Sequence, residues 1–299
     1  MSSSRNANRL AKKIRNQTSL TLSTASRLAR QANVYLGSSV ADAADPQQRR
    51  LEAHMAHVLA SSFKDRQLNG ALLGVCEAAP DGLSLELTLE SDMADEVLRE
   101  LLPRFDHFYG GIRGVPGLRV RGNRERVVLH DALSPAQVTV TRADHGRMRL
   151  PSAREGEVLL WKRVPGGLSR DERQEAEEWV DSEGSADLGV RDLLMSRILR
   201  CPRLVNRTAE PHGFANCYTH HSGDLVIEWC CGDIVETLCA NLLAHGIADG
   251  LPRGNAIELL SRHSAHLGDR TVILNRHSSC LYGNKAWDVA EYIKKGYDS

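Results

Sequence analysis

The sequence predicts an α+β protein: a small N-terminal basic helical hairpin followed by two mixed α/β domains. Three observations predict it. The first 31 residues carry basic side chains on helical spacing and no carboxylate. From Leu51 to Leu150, helical apolar periodicity alternates with short runs rich in β-branched residues, in the order helix, strand, strand, helix, strand, strand. Beyond Leu150 the same alternation continues with longer helices and stronger strands. A chain of 299 residues has room for two such domains.

Element by element, residues 1–36 form the basic segment, with helices at Arg9 to Gln17 and Leu22 to Gln31 and Thr21 as the N-cap of the second. Residues 37–50 read as a linker, because Ser38, Ser39, Asp42, Asp45 and Pro46 are turn formers with little apolar periodicity around them. Residues 51–150 read as a small α+β domain. Its first helix carries Leu51, Met55, Val58 and Leu59, and a hairpin of Ala71 to Cys76 and Leu83 to Leu89 turns about Pro80, Asp81 and Gly82. A second helix with Met93, Val97, Leu98, Leu101 and Leu102 ends at Pro103. Strands follow at Arg126 to Leu129 and Gln137 to Thr141. The glycines Gly110, Gly111, Gly114 and Gly117 follow no clear strand, so that stretch reads as a loop.

Residues 151–299 read as a Cys- and His-rich α/β domain. A strand is expected at Val158 to Val164, and Ser169 with Glu172 forms a capping box at the start of an acidic helix reaching about Trp179. A helix at Val190 to Arg200 stops before Pro202. Strand Asp224 to Trp229, a helix capped by Asp233 and closed by Gly246, a helix at Ala256 to His266, strand Thr271 to Asn275 and helix Ala286 to Lys294 complete the alternation.

Composition narrows the functional classes. No apolar run approaches the roughly 20 residues of a membrane span, and the basic N-terminus has no apolar stretch behind it, so a soluble, cytoplasmic chain is expected. Seven cysteines, two of them adjacent at Cys230 and Cys231, fit reduced thiols rather than a disulfide framework. The formal net charge is zero but unevenly placed. Arg113 to Arg154 holds nine Arg against Glu125, Asp131 and Asp144, whereas Asp171 to Asp187 holds eight carboxylates and one Arg.

The run TSLTLSTASRLAR at Thr18 to Arg30 resembles the turn and second helix of a repressor-type helix-turn-helix, and the resemblance spans residues 10–31. It implies nucleic-acid contact through Lys12, Lys13, Arg15, Ser23, Thr24, Arg27 and Arg30, with Leu20, Ala25 and Leu28 packing inward. Ser19 stands where that turn usually has Gly, and Arg15 where the first helix usually has a small residue. The competing reading is a solvated basic hairpin that docks a protein or simply precedes the main domain. The arginines of 113–154 would either extend the nucleic-acid surface or pair with the acidic helix. Few aromatic residues interleave them, so no base-stacking platform is indicated.

Thirteen of the nineteen His and Cys residues fall in the last hundred. His263, His266, His277 and Cys280 form two doublets with the two-residue gap that lets paired side chains reach one tetrahedral ion, which makes zinc the candidate cofactor. Cys217, near His212, His220 and His221, is the candidate thiol nucleophile. The phosphate-loop, dinucleotide-fingerprint, zinc-protease and nucleophile-elbow motifs are absent.

The leading expectation is a bacterial nucleic-acid-associated protein, a DNA-binding regulatory or mobile-element accessory factor rather than an enzyme. Its α/β body would bind a ligand, a protein partner or a second copy of itself. The rivals are a metal- or thiol-dependent enzyme with its site in the C-terminal third, and a non-catalytic interaction module.

Overall fold

The computed structural model describes residues 42–63, 72–162, 168–181, 188–202, 215–219, 225–229, 261–267 and 270–276, with positions 8, 9, 11, 12, 15, 21–23 and 26 near the N-terminus. Helices and sheets are both present, and the fold is of the α+β class. Helix α1 (Pro46–Phe63) opens the body. It starts five residues before the position expected from its apolar periodicity. Asp45 is its N-cap, accepting the Gln47 amide at 2.8 Å on Oδ1, and Pro46 occupies the first helical position, where a missing N–H costs nothing. Asp45 and Pro46, two of the turn formers that resemble a linker, are therefore helix-start signals, while Ser38 and Ser39 lie outside the described residues. Asp42 is held too, by a bidentate pair with Arg197 at 2.8 and 2.7 Å.

A short 3-10 turn (Leu72–Gly74) leads into β1 (Val75–Pro80), which pairs antiparallel with β2 (Leu85–Leu89) as the expected hairpin. The first strand begins later than expected because Leu73 and Gly74 take left-handed φ of 60° and 72°. Asp81 closes the hairpin turn by accepting the amides of Leu83 and Ser84 at 2.8 and 2.6 Å. Burial pushes its carboxyl up, but those amides, the Ser84 hydroxyl and the nearby Arg200 hold it below the usual range.

Helix α2 (Ala94–Leu101) follows, then β3 (Arg104–Asp106), β4 (Gly111–Arg113), β5 (Leu118–Gly122), β6 (Val127–Asp131), β7 (Gln137–Arg142) and β8 (Glu157–Leu159). The glycine-rich stretch expected to be a loop thus carries β4, and β5 begins directly after Gly117; the few residues of each become strands only through pairing with β3 and β6. Five strands form a mixed sheet ordered β1-β2-β7-β6-β5, in which β2 and β7 are parallel. Strands β4-β3-β8 form a small antiparallel sheet.

Alternation along the large sheet sorts its faces. Leu85, Leu87, Leu89, Leu118, Val127, Leu129, Val138 and Val140 are buried on one face. Against them pack Leu51, Met55, Leu59 and Phe63 of α1, together with Val97, Leu98 and Leu101 of α2. The opposite face carries Glu86, Arg121, Gln137 and Thr139.

Helix α3 (Arg170–Asp181) begins with the expected capping box: the Glu172 amide donates to Ser169 Oγ at 3.1 Å, and the Ser169 amide donates to Glu172 Oε2 at 3.2 Å. Helix α4 (Leu188–Arg200) adds Leu194, Met195, Ile198 and Leu199 to the same core, so the core extends past residue 150. A second sheet ordered β11-β12-β10-β9 comprises β9 (Ala215–Thr219), β10 (Leu225–Trp229), β11 (Ser261–Leu267) and β12 (Arg270–Arg276). Residues 261–266, expected to end a helix, are strand because they pair in register with β12 from Ser261↔Arg276 to Leu267↔Arg270. The helices expected after Gly232 and at Ala286 to Lys294 lie outside the described residues.

At the junction of α1 and α4 sits a buried polar cluster. Arg200 Nε and Nη2 donate to the Glu52 carboxylate at 2.6 and 2.7 Å, with both side chains 0% exposed. Ser196 Oγ and Gln48 Nε2 complete that carboxylate's partners at 2.6 and 2.8 Å, and Arg200 Nη1 reaches the Asp81 carbonyl at 2.8 Å. Removing one partner leaves an uncompensated buried charge, whereas replacing both with apolar residues of similar size does not. Glu52→Ala is expected to cost about 3–5 kcal/mol in urea unfolding, and Glu52→Leu combined with Arg200→Met to recover most of it. A loss under about 1 kcal/mol for Glu52→Ala would show that the carboxylate is not buried as described.

Candidate nucleic-acid interface

Strands β5 and β6 are joined by a tight turn, Gly122 to Arg126. Asn123 Oδ1 accepts the amides of Glu125 and Arg126 at 3.0 and 2.7 Å. Gly122 has φ +92°, and a Cβ there would lie 2.6 Å from the Arg126 carbonyl oxygen, so only glycine lets the two strands close this tightly. Arg121, Arg124 and Arg126 are exposed at the turn. The loop after β7 runs beside it: the Met148 amide donates to the Arg124 carbonyl at 2.8 Å, while Met148 itself is buried. Burial of Met148 leaves its neighbours Arg147 and Arg149 on the exposed side. The fold thereby gathers five exposed arginines that lie as many as 28 residues apart in sequence.

Pairing divides the arginines of 113–154 into two groups. Among the described residues Arg119 alone of them is paired with the acidic helix, through Nη1 to Glu172 Oε1 at 2.8 Å and Nη2 to Oε2 at 3.1 Å. Arg113 pairs with Asp106 at 3.0 Å, Arg126 with Glu86 at 3.0 Å and Arg142 with Asp144 at 2.9 Å, while Arg121 donates to the side-chain oxygen of Gln137. Arg124, Arg147, Arg149 and Arg154, like Arg121, have no carboxylate partner among the described residues. Pairing with the acidic helix thus accounts for one arginine among the described residues, and the rim of the large sheet retains uncompensated cationic charge.

Of the residues expected to contact nucleic acid in the N-terminal segment, Lys12, Arg15 and Ser23 are exposed and have helical backbone. Thr21 directly precedes the second helical stretch, and its Oγ1 lies 2.9 Å from Ser23 Oγ. Ala11 is buried, giving this segment an inner side. Lys13, Thr24, Arg27 and Arg30 lie outside the described residues.

Of the zinc candidates, His263 and His266 lie on β11, opposite Leu274 and Thr271 of β12, and His277 and Cys280 lie outside the described residues. Among the described residues no group of His, Cys, Asp and Glu is arranged to hold a metal ion. Cys217 is in β9, and the histidines expected to activate it lie outside the described residues. Cys201 is fully enclosed, and burial pushes its thiol up to about 12, so it stays protonated and unreactive near neutral pH.

A cleft of about 330 Å³ opens between α1, α3 and the loops flanking β5 and β6. Leu51, Val115, Pro116 and Leu133 supply its apolar lining, Arg50, Arg173, Asp131 and Glu177 its charged lining, and Trp179 stands in one wall. Trp179 stacks on His54 with ring centroids 4.1 Å apart and planes 5° apart. No sequence signal marks this cleft, because its walls come from four segments spread between Gln47 and Trp179 that carry no common motif.

No protein-family model, curated protein or solved structure matches this chain. No helix among the described residues is long and apolar enough to cross a membrane.

Docking of α3 against β5 depends on ionised Glu172. Burial pushes this carboxyl up, but the Arg119 guanidinium and the amides of Ser169 and Gly117 outweigh it and hold it below the usual range. A lowered folded-state pKa contributes stability that is present above the unfolded value, about 4.3, and lost as pH falls through the folded one. Urea unfolding is therefore expected to show Glu172→Gln less stable than wild type at neutral pH, with the gap closing below about pH 4. A gap that is constant from neutral to acid pH would contradict the assignment.

Proposed function

We propose that this chain is a nucleic-acid-associated protein, a DNA-binding regulatory or accessory factor that contacts the phosphate backbone through its basic N-terminal segment and the arginine rim of its large sheet. The observation that supports this reading most strongly is the gathering of Arg121, Arg124, Arg126, Arg147 and Arg149 around one turn. Exposed arginines crowded together repel one another, so their proximity works against the folded state unless an anion relieves it. Phosphates in register along a strand suit that demand, and the zero net charge of the whole chain confines the attraction to this rim. Lys12, Arg15 and Ser23 supply a second contact in the helix-turn-helix reading. The cleft beside Trp179 has the size of a small-ligand site and is the place where the body would take up a ligand or partner.

The test is binding of mixed nucleic acid by the full chain between about 50 and 200 mM salt. Binding is expected to weaken steeply with salt. Arg124→Ala combined with Arg147→Ala and Arg149→Ala is expected to reduce the salt slope by about one for each phosphate no longer neutralised, and Lys12→Ala with Arg15→Ala to weaken binding independently. Absence of salt-sensitive binding by the wild-type chain would overturn the reading.

A further inference from the structure

The loop from Arg147 to Gly156 leaves the arginine rim and runs to a second exposed feature, the turn between β3 and β4. Along the way it is pinned to α2: the Arg149 amide donates to Asp95 at 2.7 Å, and Arg99 donates to the Ser152 carbonyl at 3.2 Å. Arg154 is exposed beyond that point. Glu157 then pairs opposite Asp106, which brings the loop's end against the β3–β4 turn, and the His107 amide donates to the Gly156 carbonyl at 2.9 Å. At most about 30 Å of chain connects the two features.

The turn displays two rings. Phe108 is 80% exposed and Tyr109 62%, the highest exposures of the Phe, Tyr and Trp side chains among the described residues. The position of each is fixed. Asp106 Oδ1 accepts the amides of Phe108 and Tyr109 at 3.0 and 3.2 Å, and its Oδ2 accepts Arg113 Nε at 3.0 Å. The Arg113 guanidinium lies 4.4 Å from the centroid of the Tyr109 ring. Phe108 rests against Gly156, where a Cβ would lie 2.5 Å from the ring, so the glycine lets one edge of the ring meet backbone while the rest faces solvent. Exposing two large apolar rings is unfavourable for an isolated surface, and here they end a line of arginines.

From this juxtaposition we infer that the surface from Arg124 through Arg147, Arg149 and Arg154 to Phe108, Tyr109 and Arg113 is a binding path for single-stranded nucleic acid. Arginines follow the backbone and the two rings stack on unpaired bases. The inference rests on the nucleic-acid reading above and narrows it to strands whose bases are free. In a duplex the bases present edges, and their faces are occupied by neighbouring pairs, so exposed rings on a protein find no partner there. Carboxylates along the path are largely engaged: Glu157 by Arg99 and Arg104, Asp106 by Arg113, and Asp144 by Arg142. Asp92, Glu125 and Glu155 are exposed, and Asp95, which accepts the Arg149 amide, is partly so, against four arginines on the path without a carboxylate partner among the described residues.

The experiment is fluorescence anisotropy of the full chain with oligothymidylate of about 16 nucleotides and with a duplex of mixed sequence. Phe108→Ala combined with Tyr109→Ala is expected to weaken oligothymidylate binding about tenfold or more with an unchanged salt slope, leaving the duplex within about twofold. Phe108→Tyr combined with Tyr109→Phe, which keeps both rings, is expected to bind as wild type and controls for folding. Unchanged oligothymidylate binding in the double alanine variant would overturn the inference, and loss on Arg147→Ala with Arg149→Ala in the same assay would show that the broader nucleic-acid reading survives. Tighter wild-type binding to duplex than to oligothymidylate would also overturn it. Binding of neither probe by wild type would remove both readings together.

Discussion

Glu52 and Arg200 lie 148 residues apart and meet with no exposure to solvent, and the groups around them tie together most of the body. Both are charged, and both have given up water. Such a pair contributes little net stability compared with apolar residues of the same volume, yet it admits only one geometry. Here that geometry sets the position of α4 on α1 and, through the Asp81 carbonyl, the position of both on the β1–β2 turn. Gln48 extends the constraint to the sheet. Its side-chain oxygen accepts the Gln137 N–H at 2.9 Å and its nitrogen donates to the Gln137 carbonyl at 3.0 Å, pairing with the start of β7 as a neighbouring strand would. That nitrogen also donates to Glu52, so one side chain connects the ion pair to the sheet.

With the apolar face of the sheet fixed on α1 and α2, the rim formed by the β5–β6 turn and the loop after β7 is held in place. The arginines then serve two different ends. Arg200, Arg104 and Arg119 are buried and direct their charge at Glu52, Glu157 and Glu172, where they orient helices and loops. Arg124, Arg147 and Arg149 remain outward on one rim, with Arg154 exposed farther along the same loop. A chain of zero net charge can therefore carry a local cationic surface, since what matters to a phosphate within a Debye length is the arrangement rather than the sum.

Local signals were the legible ones. The capping box of Ser169 and Glu172, the hairpin at Asp81, and the apolar periodicities of α1, α2 and α4 are each set by residues within one element, and each is present in the structure. Where one signal has two meanings, the sequence misleads: Asp45 and Pro46 suit a linker as well as a helix start. Elements that depend on distant pairing were hidden. Strand β4 has three residues, and β11 has the polar composition of a helix surface until β12 lies beside it. The candidate site shows the same division. The basic stretch is plain in the sequence, but Phe108 and Tyr109 precede it, and only the pairing of Asp106 with Glu157 brings them to its end.

Amide hydrogen exchange of the full chain with and without saturating oligothymidylate tests directly whether a single strand lies along the rim. Binding along the rim and the ring-bearing turn is predicted to slow exchange at residues 107–113, 122–126 and 145–156 while leaving β9 to β12 unchanged. Protection confined to β9 to β12, or none at the rim while the strand is bound, would contradict it.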